Sequence, residues 1–166
     1  MKERGRAGGF TLLELLLVVL MMGVMSLWVI PRLGSFGATD IKWTARHLAT
    51  LIRQVAEETT ATKRLHRLYY NLSEARYRVK VLEENGEYVD GPPAGQALPT
   101  GIVFEDVVTG RVGKVTEGET YTQFYPFGVE KSWIHLRSGK QQWSLEVQPL
   151  TGGVKVYDRY VDGATQ

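Results

Sequence analysis

The chain has 166 residues, no cysteine and a formal net charge of +2. That length holds about one domain beside a membrane segment, and the domain must rely on its core rather than on disulfide staples. Lys2, Arg4 and Arg6 against Glu3 account for the whole net charge. Residues 10–166 are therefore formally neutral, which gives a polyanion such as nucleic acid no electrostatic head start.

Residues 10–30 are apolar apart from a single charge, Glu14. As a helix rising about 1.5 Å per residue, they match the ~30 Å hydrocarbon core of a bilayer. The basic residues ahead of them hold the N-terminus in the cytoplasm and put the rest of the chain outside it. A cleavable secretory signal would end in small residues of the A-x-A type, whereas Met25-Ser26-Leu27-Trp28 is bulky. A plain anchor accounts for the length and the basic flank, but not for a carboxylate near the start or for paired glycines before an aromatic residue. At mid-membrane such a carboxylate costs about 2.5–3.5 kcal/mol.

Gly9-Phe10-Thr11-Leu12-Leu13-Glu14 resembles the class III signal of type IV pilins and of type II secretion pseudopilins. The resemblance implies cleavage after Gly9 by a prepilin peptidase and methylation of Phe10 as the new N-terminus. Residues 1–9 are then a leader. Glu14 becomes the fifth mature residue, which the family uses in filament assembly. Gly23 and Pro31 match the glycine and proline that bracket a stretch able to unwind in the filament. Physical chemistry agrees: an amine at Phe10 and the carboxylate of Glu14 share one helical face and neutralise each other, within or between subunits.

Pro31 lacks an amide hydrogen and crowds the carbonyl of Leu27, and Gly34 and Gly37 follow. Two readings are open: a helix end with a new helix capped by Thr39 or Asp40, or one long helix with a soft joint. From about 40 to 63 the apolar residues Ile41, Ala45, Leu48, Ile52 and Val55 recur at helical spacing, as in a helix that covers a sheet.

After Leu65 the period changes to two. Leu68, Tyr70 and Leu72 share one strand face, and Tyr77, Val79 and Val81 another, with a break at Ser73-Glu74. Asn85-Gly86 is a hairpin turn signal. Further strands are expected over 102–107, 121–125, 133–136, 142–147 and 154–157, with 109–120 an exposed connection and the tail from Asp158 frayed. In 142–148, Trp143, Leu145 and Val147 face one way, while Gln142, Ser144, Glu146 and Gln148 face the other.

Phe124-Tyr125-Pro126-Phe127-Gly128 and the run from Trp143 through Pro149-Leu150-Thr151-Gly152 resemble the H-type minor pseudopilins and their type IV pilus relatives. Leu98-Pro99-Thr100-Gly101 suits the same group. Major pseudopilins end in an aspartate-rich calcium loop; only Asp158 and Asp162 stand near the end here, so no metal is expected.

No catalytic constellation is legible. His47, His66 and His135 lie far apart and form no metal-ligand pair. Gly110-Arg111-Val112-Gly113-Lys114 lacks P-loop spacing. Lys63, Arg64, His66 and Arg67 form a basic cluster, which reads first as a solvated face. Stacking of nucleic acid on Tyr69, Tyr70 or Tyr77 is a minority reading, because alternation puts some of these rings in the core.

The expected fold is α+β and pilin-like: a long N-terminal helix over residues 10–33 continuing into an amphipathic half, packed on antiparallel sheets of about seven strands in a periplasmic domain over 34–166. The resemblance implies a non-enzymatic minor pseudopilin of a type II secretion system, without cofactor, in the bacterial inner membrane and then in a periplasmic pseudopilus that helps export folded proteins. Its partners would be the prepilin peptidase, other major and minor pseudopilins, the inner-membrane assembly platform and membrane lipid; nucleic acid is not expected. The alternatives are a minor pilin of a type IV pilus (assembly, twitching or DNA uptake) and a plain membrane-anchored periplasmic binding domain.

Overall fold

A computed structural model describes residues 12–33 and 36–163, with side chains over 12–24 and 41–163. The predicted cleavage position, Gly9 and Phe10, lies outside the described residues. The chain divides into two compact units, Met1–Phe36 and Gly37–Gln166.

In the first unit, helix α1 (Leu12–Leu33) runs through both Gly23 and Pro31. Pro31 falls in the last turn, where its missing amide leaves the carbonyl four residues back without its helical donor. Among the described residues no helix is long and apolar enough to cross a membrane. The predicted span, 10–30, extends beyond the residues described with side chains.

The second unit opens with helix α2 (Phe36–Thr62). It starts earlier than the expected residue 40, so Thr39 and Asp40 lie inside it rather than at its start. Its buried residues Ile41, Ala45, Leu48, Ile52, Val55 and Thr59 keep the spacing of one helical face. The helix ends at Lys63, which takes φ +58° while its amide still bonds the carbonyl of Thr59. That left-handed residue turns the chain into the sheets.

The described residues hold eleven strands rather than about seven, in two antiparallel sheets. The first sheet comprises β1 (His66–Asn71), β2 (Arg76–Leu82), β3 (Tyr88–Asp90), β4 (Gln96–Ala97), β7 (Glu119–Tyr125) and β8 (Gly128–Val129). Its order is β3-β2-β1-β7-β8, with β4 also beside β2. The second comprises β5 (Val103–Thr109), β6 (Gly113–Val115), β9 (Ser132–Ser138), β10 (Gln141–Val147) and β11 (Val154–Tyr157), in the order β11-β10-β9-β5-β6. The excess over expectation lies in pieces of two or three residues, too short to show a period. One of them, β6, falls inside the stretch 109–120 that reads as an exposed connection.

Helix and sheets close on one core. Ile41, Leu48, Ile52 and Val55 meet Leu68, Tyr70, Val79 and Phe124 from the first sheet and Val107, Ile134, Leu136 and Leu145 from the second. Each such side chain contributes about 1.5–3 kcal/mol when fully buried. Tyr70 keeps its phenol inside by bonding the Thr122 hydroxyl at 3.2 Å, and burial pushes its ionisation upward.

The second sheet is buried on both faces along β9. Ile134 and Leu136 point to the core, while Trp133 and His135 on the opposite face are also buried. The cover is the segment 158–163, expected to fray. Ser144, on the face opposite Leu145, is fully buried beneath it: its hydroxyl donates to the Arg159 carbonyl at 2.8 Å and accepts from the Val161 amide at 3.0 Å.

Candidate functional site

Three sets of residues stand out. The first is α1, where Leu12, Leu13, Leu15, Leu16, Leu17, Val19 and Leu20 are all exposed. A helix apolar all round is made for surroundings other than water. Glu14 sits in its first turn, where the helix dipole favours a negative charge. A Cβ on Gly23 would meet nothing within 4 Å, so this glycine leaves a gap on the helix surface open to a neighbour. Glu14, Gly23 and Pro31 thus share one helix.

The second set joins the two C-terminal motif segments. The turn after β7 and the turn after β10 meet at the far end of α2, where the Val129 amide donates to the Pro149 carbonyl at 2.7 Å. A side chain on Gly128 would strike that carbonyl. Gly152 takes φ +63°, and a Cβ there would lie 2.5 Å from the Ala56 Cβ of α2. The motif glycines are thus requirements of one packed corner. Phe127 and Leu150 project from it, each 89% exposed. Gly152→Val is expected to destabilise this unit by about 2–4 kcal/mol, from left-handed strain and overpacking together. An unchanged urea midpoint would mean that the corner opens freely.

The third set is a buried polar network that the sequence hides. His135 donates from Nε2 to the Val161 carbonyl at 2.9 Å, and its Nδ1 meets Asp106 Oδ1 at 2.5 Å. Lys114 Nζ lies 3.2 Å from Asp106 Oδ2, and the Tyr160 hydroxyl 3.1 Å from it. Burial would raise the Asp106 carboxyl, but hydrogen bonds and charge from His135 and Lys114 outweigh it and hold the group below its ordinary value. The Tyr160 hydroxyl, then Asp106, push Lys114 upward.

A β-bulge brings these groups together. Phe104 pairs with Leu136 on the core face, and the register then slips so that Asp106 pairs with His135 on the other face. Strict alternation would have put Phe104 and Asp106 on the same side. Both ring nitrogens of His135 face acceptors, and both oxygens of Asp106 have partners. The network fastens the C-terminal segment to the second sheet.

The other sequence candidates do not converge. His66 is buried, with Nδ1 2.9 Å from the Thr59 hydroxyl, while His47 stacks on Trp43 with ring centroids 5.0 Å apart. Tyr70 and Tyr77 lie in the core, whereas Tyr69 lies on the outer face of the first sheet. Among the described residues no three metal-ligating side chains converge.

A helix laid across two antiparallel sheets around one core is an arrangement like that of the pseudopilin fold. The particular likeness is to the crystal structure of the minor pseudopilin EpsH from the type II secretion system of Vibrio cholerae. The TM-score is 0.61 at 11% identity, over 75% of this chain and 97% of that one. A second structure of Vibrio cholerae EpsH gives 0.57 at 12% identity, over 72% and 97%. No protein-family model matches the chain, and no curated protein matches its sequence.

Proposed function

We propose that the chain is a minor pseudopilin of H type, serving a type II secretion system. The observation that carries this reading is a pseudopilin-like domain that follows, in the sequence, an apolar helix whose first turn holds Glu14. Prepilin peptidase would cut after Gly9 and Phe10 would be methylated. The helix would wait in the inner membrane until the assembly platform draws it into a periplasmic filament of major and minor pseudopilins. There the amine of Phe10 in one subunit and Glu14 of another would neutralise each other in an apolar core. The domain's work is contact between subunits, which supports the export of folded proteins; it needs no reacting group.

Mass spectrometry of the protein isolated from membranes tests this. A mature chain that begins at methylated Phe10 is the expected result, and an intact chain from Met1 would overturn the reading in favour of a plain anchor. Crosslinked neighbours from a secretion system, rather than from a type IV pilus, complete the assignment.

A further inference from the structure

The outer face of the first sheet carries a second, unassigned feature. Alternation along β1, β2 and β7 puts Arg67, Tyr69, Arg78, Lys80 and Tyr121 on the side away from the core. Cations and rings interleave there: the Arg67 guanidinium lies 3.9 Å from the Tyr88 ring centroid and 4.4 Å from that of Tyr121, and Arg111 lies 4.0 Å from Tyr121.

A strand of nucleic acid would need a positive field to match its phosphates. Three of the four cations already have carboxylates. Arg78 meets Glu119 at 2.8 Å, Arg111 meets Glu130 at 3.8 Å, and Lys80 meets Asp90 at 4.0 Å. The face is polar and aromatic but nearly balanced in charge.

Beside it opens a cleft of about 370 Å³, lined among others by Tyr69, Asn71, Arg76, Arg78, Asp90 and Glu119. Guanidiniums offer only donors and carboxylates only acceptors, while an amide offers both. A pair of neighbouring hydroxyls on a sugar ring does the same, and its C–H face packs against an aromatic ring such as Tyr69. Arg78 lines the cleft with its Nη2 on Glu119 at 2.8 Å, while its Nε is enclosed by the protein and makes no hydrogen bond. A concave site whose wall is mostly polar, with Tyr69 and Tyr77 as its rings, suits a small polar molecule better than an apolar one.

We propose that this cleft binds a neutral oligosaccharide. The test is saturation-transfer NMR on the full chain in micelles of an amine-oxide detergent, which has no sugar headgroup, with triacetylchitotriose and maltotriose as probes. One of the two binds saturably with a Kd of about 1 mM. Tyr69→Ala and Glu119→Gln each weaken binding about tenfold or more, whereas Tyr69→Phe retains it. Raising salt from about 50 to 200 mM changes little. Glu119→Gln, on the sheet surface, keeps the test open if Tyr69→Ala fails to fold. Absence of saturable binding to both sugars overturns the proposal, as does binding indifferent to both substitutions. Salt-sensitive retention of oligothymidylate without sugar binding also overturns it, and makes the face a single-strand platform instead.

Discussion

Replacing His135 by alanine is expected to destabilise the Gly37–Gln166 unit by about 3 kcal/mol or more, because breaking a buried pair strands the surviving charge. Asp106 would keep Lys114 and Tyr160, but its side chain is only 2% exposed. The Tyr160 ring, 4.2 Å from the imidazole centroid, would lose its platform as well. Urea unfolding of the unit measures the loss. Replacing both partners by apolar groups, Asp106→Leu with His135→Phe, should recover most of it, since an apolar pair of similar volume is often no less stable than a buried ion pair.

The acid limb gives a further reading from the same series. The folded-state pKa of Asp106 is depressed. Its contribution is therefore complete above the unfolded value of about 3.9, and is lost as pH falls below that through the folded value. Asp106→Asn should flatten stability against pH in that window. A slope unaltered below about pH 4 would mean that the carboxylate is solvated after all.

Replacing Glu14 by alanine should separate processing from assembly. Cleavage after Gly9 and methylation at Phe10 are expected to proceed as in the parent. Incorporation beside sister subunits should then fall by up to about 300-fold, if the full cost of an uncompensated charge in an apolar core, about 2.5–3.5 kcal/mol, is lost. Glu14→Asp should restore part of it. Crosslinking at introduced cysteines, scored against the amount of mature protein, makes the measurement, and undiminished co-assembly of Glu14→Ala would sink the proposed pairing.

The core was largely legible in advance because two strict periods write it into the chain. Ile41, Leu48, Ile52 and Val55 repeat with the helix, and Leu68, Tyr70, Tyr77 and Val79 alternate with the strands. The outer face of the second sheet was hidden for three reasons. The bulge beyond Phe104 breaks the parity that would place Asp106. Ser144 has the polarity of a solvent-facing residue, and only its bonds to Arg159 and Val161 make its burial tolerable. The covering segment, 158–163, has no regular period; it is held by Tyr160, by the Val161 carbonyl and by the close seat of Gly163 against the Trp133 indole. The corner motifs were visible as a pattern, but that their glycines exist for contact with Pro149 and Ala56 follows only from the packing.

The covering segment also gives the domain an order of completion. β9 and β10 can pair as soon as both have been made, yet Trp133, His135 and Ser144 stay open to water until the residues after Tyr157 arrive. A chain that stopped at β11 could build both sheets and would still carry a bare indole and a His135 Nε2 without its Val161 acceptor. Such a product would be the weaker one in any encounter with a protease. Residues 158–163 therefore act as a seal on the outer face of the second sheet, closing over Trp133, His135 and Ser144.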